Sequence, residues 1–280
     1  MISTRRCCKM RTVRAFAALM LTASAATGAA QQNFSPPDFS ASGYGWVRVG
    51  TSQDYEAVPG TIPPISSDPA HPFTGNNTGR QTTYRIADLS NPNLKPWVKE
   101  RMQKDNDEVF AGKTAFTARQ SCLPAGVPAF VTYGGDTPVY FIQTPKQIWM
   151  VYAGDQQVRR VYLNVPHSRG IKPSWYGESV GHYEGQTLVI DTIGQNDKTM
   201  LDPYRTPHSE KIHVVERWAI VEDGRILEDV FTVEDPEAFY QPWTGKKRFR
   251  RGQEPILEEV CAENNEHFDF HIPSADKPDF

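Results

Sequence analysis

The chain is poor in cysteine: only four in 280 residues, and two of them, Cys7 and Cys8, lie in the first ten. Cys122 and Cys261 have no C-x-x-C neighbour, so a thiolate metal site has no support in their spacing. The sequence contains no G-x-G-x-x-G and no P-loop pattern, so a nucleotide cofactor is not expected. It has no H-x-H or H-E-x-x-H, so any metal site would have to be assembled from separate loops, and none is expected. Beyond residue 30 there is no apolar run of the ~20 residues that a membrane helix needs. Strands do not alternate with helices, which argues against a doubly wound sheet.

What the N-terminus does have is an export pattern. Arg5, Arg6, Lys9, Arg11 and Arg14 form a basic region, "AFAALMLTASAA" is apolar but too short to span a bilayer, and small residues follow up to Ala30. Residues 1–30 read as a signal peptide, with a periplasmic or secreted product. The Arg5-Arg6 pair raises twin-arginine export, although Cys7-Cys8 fits that signal poorly. Cleavage would take the formal net charge from −3 to −8. An acidic chain of that kind is a poor partner for nucleic acid. In an oxidising compartment Cys122 and Cys261 are expected to form a disulfide. Closing so long a loop is worth about 4–5 kcal/mol in a chain-entropy account.

The rest divides by composition. Residues 31–114 are rich in Pro, Gly, Ser, Thr and Asn and read as an irregular extension with one helix near 94–111. Asn91 or Asn93 is placed to cap that helix, Pro96 suits its first turn and Gly112 its end, with Trp97, Met102 and Phe110 as candidate buried residues. Residues 115–265 carry short β-like runs such as "PVYFIQT", "QIWMVYA", "QTLVIDTIG" and "KIHVVERWAIV", and Asp223-Gly224 is a hairpin signal. The expected fold is mainly β, an antiparallel up-and-down barrel of about 8–10 strands, with a tail at 266–280.

The stretch "GESVG", Gly177–Gly181, fits the G-x-S-x-G pattern of a serine-hydrolase nucleophile. That motif requires a helix after the serine. Here "HYEGQTLVIDT" follows, a turn and then a strand. The glycines read instead as backbone positions in a close approach, and Ser179 is expected to face a loop or cap a turn.

"SVGHYEGQTLVIDTIGQND", "PHSEKIHVVERW", "VEDPEAFYQPW" and "CAEN" together resemble a broad group of secreted bacterial proteins. That group carries a pattern close to S-x-G-x-W-E-G-D-T-L-V-V-D-T, followed by P-H-S and E-R. The resemblance covers roughly residues 115–265 and implies a lipocalin-like or related calycin barrel, without implying an activity. The chain departs from the pattern at His182, Tyr183 and Gln186, where Arg, Trp and Asp are usual.

Alternation puts Ile212, Val214, Glu216, Trp218 and Ile220 on one face of a strand, so one carboxylate sits among apolar groups. Two readings follow for Glu216: a buried structural pair with an arginine, or an acid–base group with a raised pKa. Asp191 and Arg160 lie between apolar residues in the same manner and are expected inside the barrel, unless they face solvent. His208 with Asp197, and with Asp202 close by in the same long loop, suggests a base and its orienting carboxylate. His167, His182, His213, His267 and His271 also fall in this half. Arg160, Arg217, Tyr162, Trp175, Tyr183 and Trp218 are the candidate substrate-binding residues, the arginines for an oxyanion and the rings for a flat apolar or aromatic molecule. The expectation is a cofactor-independent acid–base enzyme (lyase, isomerase or hydrolase) acting on a small oxygenated or aromatic molecule. The alternative is a periplasmic carrier that uses the same pocket.

Overall fold

The computed structural model describes residues 35–40, 43–50, 54–73, 85–113, 122–131, 137–153, 157–253 and 260. The expected signal peptide, Cys261, His267, His271 and the 266–280 tail lie outside them. The elements run β1 (Trp46–Arg48), β2 (Glu56–Ala57), α1 (Pro96–Phe110), β3 (Val139–Gln143), β4 (Gln147–Tyr152), β5 (Gln157–Leu163), β6 (Glu178–Glu184), β7 (Thr187–Ile193), β8 (His213–Val221), β9 (Ile226–Glu234) and β10 (Trp243–Arg251). The sheet order is β1-β3-β4-β5-β6-β7-β8-β9-β10, and pairing of β1 with β10 closes it into a nine-stranded barrel. Strand β2 adds to the β10 edge beyond β1.

The barrel is mixed rather than purely antiparallel, because β5 and β6 are parallel. Parity requires at least one parallel pair, since an odd number of strands closed in a ring cannot alternate direction throughout. The loop 164–177 makes this crossing; it is far longer than a hairpin turn. Elsewhere short turns act as the sequence implied. Glu222, Asp223 and Gly224 have φ of 51°, 54° and 86°, the left-handed conformations that a tight β8–β9 turn demands.

Inward residues alternate along most of the longer strands, β5, β9 and β10 most regularly, and form two apolar layers. One contains Trp46, Phe141, Met150, Leu188, Trp218 and Phe249, closed by Phe39 from the N-terminal extension. The Trp46 indole donates to the Phe39 carbonyl at 2.7 Å, which fixes this plug. The other contains Val214, Phe231, Val233 and Trp243, covered by Val98 and Met102 of α1. The helix turns Val98, Met102 and Asn106, spaced by four, toward the barrel. Met102 was expected there, but Trp97 and Phe110 are exposed. Asn106 instead clamps the extension, its amide both accepting from and donating to the backbone of Ala87.

Candidate functional site

Between the apolar layers runs a polar belt to which six consecutive strands each contribute one buried residue: Arg159, Ser179, Thr192, Glu216, Asp229 and Lys247. Glu216 takes the inward place that alternation assigned to it. Arg159 grips it with both guanidinium nitrogens, Nη1 donating to Oε1 at 2.9 Å and Nη2 to Oε2. The two side chains are 1% and 2% exposed. Arg159 Nη2 also donates to Ser179 Oγ at 3.1 Å and Thr192 Oγ1 at 2.9 Å. Burial, and then the neighbouring Glu216, push the Asp229 carboxyl well above the ordinary range. Lys247, lowered to about 8 by burial and by Arg48, donates to the Asp54 carbonyl at 2.7 Å.

Ser179 therefore neither faces a loop nor caps a turn: it lies inside the barrel as a partner of Arg159, on a strand with no helix after it. The flanking glycine is explained by close approach. A Cβ on Gly177, which has φ +61°, would lie 2.3 Å from the Ile193 carbonyl oxygen.

Arg160, expected inside, points outward and lies over the Trp149 ring at 4.7 Å; its neighbour Arg159 takes the inward position. Arg217 is likewise outside, paired with Glu184 at 2.6 Å. Tyr162 is exposed on the same outer face, and Trp175 is partly exposed in the β5–β6 loop. Trp218 is fully buried between Phe141 and Phe249. Tyr183 faces inward near the Phe39 plug, accepting from Gln143 Nε2 at 3.0 Å, and burial raises its pKa.

His208 is enclosed, and burial lowers its pKa. Its Nδ1 lies 2.9 Å from the Ser209 carbonyl, which can only accept, so Nδ1 carries the hydrogen and Nε2 accepts from Thr199 Oγ1 at 2.7 Å. Asp197 is exposed, and its charge acts on His208 less than that of Asp235. Asp202 caps the backbone N–H groups of Tyr204 and Thr206, and its burial raises its pKa to about 6. Cys122 is disulfide-bonded.

Asp191 also points outward, and there it organises a partly exposed cluster of ionisable groups. Its Oδ1 accepts from His167 Nε2 at 2.9 Å and from His213 Nε2 at 3.0 Å. His167 Nδ1 reaches Glu178 Oε1 at 3.1 Å, whereas His213 Nδ1 is 3.8 Å from Glu234 Oε2. Asp191 and His213 side chains are 41% and 34% exposed. The His213 hydrogen bond holds Asp191 below the usual carboxylate range, and Asp191 in turn raises His213. Partial burial would raise Glu178, but hydrogen bonds from Ser168 and His167 outweigh it and bring it down. Register places Tyr162, Val180 and Asp191 in one row across β5, β6 and β7. At the usual strand spacing Tyr162 is thus roughly 10 Å from Asp191.

This centre was only half legible. Asp191 was a candidate, but its partners His167 and His213 were noted only as histidines of this half. The signal that could have joined them is the outward phase of β7 and β8, which puts Asp191 one strand from His213. Among the described residues, no group of three or more His, Cys, Asp or Glu is placed to hold a metal ion, and no helix is long and apolar enough to cross a membrane. No family model, no curated protein and no solved structure matches the chain.

Proposed function

We propose that the protein is an exported, cofactor-independent enzyme that moves protons on a small oxygenated or aromatic molecule, and that it does so at the outer-face centre of Asp191, His213 and His167. The observation that carries this reading is the pair of imidazoles sharing one carboxylate oxygen where solvent and solutes have access. Asp191 orients His213 through Nε2, while Nδ1 stands 3.8 Å from its nearest carboxylate. His213 can therefore gain or lose the Nδ1 proton without giving up its orienting bond, as a general acid–base group must. His167 has both nitrogens committed, to Glu178 and Asp191, and acts as a positioning residue. Tyr162 and Arg160, exposed on the same face, offer a ring and a cation to a flat oxygenated substrate. Export rests on the basic and apolar pattern of residues 1–30.

Glu216 is assigned a structural role instead, because both its oxygens are engaged by Arg159 and solvent does not reach it. The test is a turnover screen of small oxygenated aromatic and terpenoid compounds with the mature chain, repeated with variants. His213→Gln is expected to lower kcat by about 10²-fold or more. Folded Glu216→Gln should retain most activity. Full activity in His213→Gln, or its loss in folded Glu216→Gln, would return the chemistry to the barrel interior.

A further inference from the structure

At the border between the belt and an apolar layer, two opposed residues each carry a buried polar atom without a partner among the described residues. The indole N–H of Trp218 and Oδ1 of Asp229 are buried and have no hydrogen-bond partner among the described residues. The two residues are 0% and 1% exposed. They are directly opposed in the β8–β9 register and both turn inward, which sets their Cβ atoms about 5 Å apart. One is a donor with no accepting capacity and the other an acceptor. Buried polar atoms of this kind are as a rule met by protein or by an internal oxygen.

Neighbours restrict how the mismatch is resolved. Trp218 stacks on Phe249 at 5.8 Å and meets Phe141 edge-on at 5.4 Å, so the plane of its indole is set. Asp229 is placed in turn by a backbone hydrogen bond from Arg217. Lys247, the register partner of Asp229 on β10, turns its ammonium to the Asp54 carbonyl, and Arg159 is engaged by Glu216, Ser179 and Thr192.

We propose that the belt is a binding site for one neutral oxygen, a water molecule or the hydroxyl of a small guest, which accepts from Trp218 Nε1 and bonds Asp229 Oδ1. Arg159 is paired with Glu216 and Lys247 is turned to the Asp54 carbonyl, so what Trp218 and Asp229 leave open is a hydrogen-bond donor and an acceptor rather than a charge. A group that can both donate and accept is the best match to an indole N–H on one side and a carboxyl oxygen on the other. The site is distinct from the outer-face centre and does not depend on its function.

The experiment is solution NMR of the ¹⁵N-labelled mature chain, with native mass spectrometry of the same sample. The Trp218 indole resonance, one of six, is assigned on the wild type by triple-resonance methods. Trp218→Phe serves as a cross-check, so the test survives if that variant fails to fold. The expected result is a hydrogen-bonded indole proton with a direct cross-peak to a long-lived water. If the oxygen belongs to an organic guest, the cross-peak goes to that molecule and the mass rises by one equivalent. Asp229→Leu should move the indole proton upfield. An indole proton at the position of an unbonded indole, with no cross-peak to water or guest, overturns the proposal.

Discussion

Arg159 and Glu216 are the residues whose pairing decides whether the barrel interior holds. Removing one partner strands a charge in an enclosed layer already occupied by Asp229. Arg159→Met is therefore expected to cost about 3–5 kcal/mol in urea unfolding, and Arg159→Met with Glu216→Leu to recover much of that; a loss below about 1 kcal/mol for the single variant would contradict the pairing. On the outer face the signs of the pKa shifts give a second expectation. Asp191 and Glu178 are lowered, so their contribution is present above ordinary carboxylate pKa values and lost as pH falls through the lowered ones. His213 is raised, so its contribution is complete below about pH 6.5 and lost as pH rises through the raised value. The stability difference between wild type and Asp191→Asn should peak between about pH 4.5 and 6.5, where both contributions coexist; a flat difference in melting temperature across pH 3–9 would sever the link. Of this chemistry, the sequence made the side of Glu216 legible because its strand alternates cleanly. The arginine was not, because in "QVRRVYL" either phase puts one arginine among apolar neighbours.

The barrel strands are joined by segments that fit only certain backbones. At Gly177 an alanine would be strained twice, by its positive φ and by the Ile193 carbonyl 2.3 Å from the new Cβ. Gly185, at φ +57°, has nothing within 4 Å of that position and serves as a control. Gly185→Ala is expected to cost about 1 kcal/mol and Gly177→Ala clearly more; equal midpoints in urea would argue against the close approach. The serine-hydrolase-like spacing thus comes from steric need on both sides of an interior serine: Gly177 precedes the strand, and Gly181 lies within it, where a Cβ would be 2.9 Å from the Val189 carbonyl oxygen. Buried amides perform a related task between elements. Gln195 accepts from Val127 N at 2.7 Å and donates to its carbonyl at 3.0 Å, as Asn106 does for Ala87. Gly177 could be read from sequence as a close-approach glycine, but these amides could not, because their targets lie 68 and 19 residues away. On α1 the place of Pro96 in the first turn was legible, but the N-cap is Lys95, without a side-chain hydrogen bond, rather than Asn91 or Asn93, and choosing buried residues by size rather than by four-residue phase put Trp97 and Phe110 on the wrong side.

At the scale of the whole molecule, short strands and long loops were enough to read a barrel. They were not enough to read its closure, which depends on three residues of β1 bridging β10 and β3 and on a parallel crossing that local pattern does not encode. Closure is what divides the chemistry. Inside, side chains pack in two apolar layers with a polar belt between them in which Arg159, Ser179, Thr192 and Glu216 bond one another; outside, Asp191 holds two histidines within reach of solutes. Of the two sequence readings of Glu216, the pairing with Arg159 fits the buried structural pair, and the proton-exchanging centre we propose lies on the outer wall. The most direct test is an NMR pH titration of the histidine ring protons in the wild-type chain and in Asp191→Asn. The account predicts that His213 titrates above the ordinary value of about 6.5 and drops in the variant, while His208 titrates below it. A His213 that titrates at or below the ordinary value and ignores the loss of Asp191, beside a His208 that titrates freely, would contradict it.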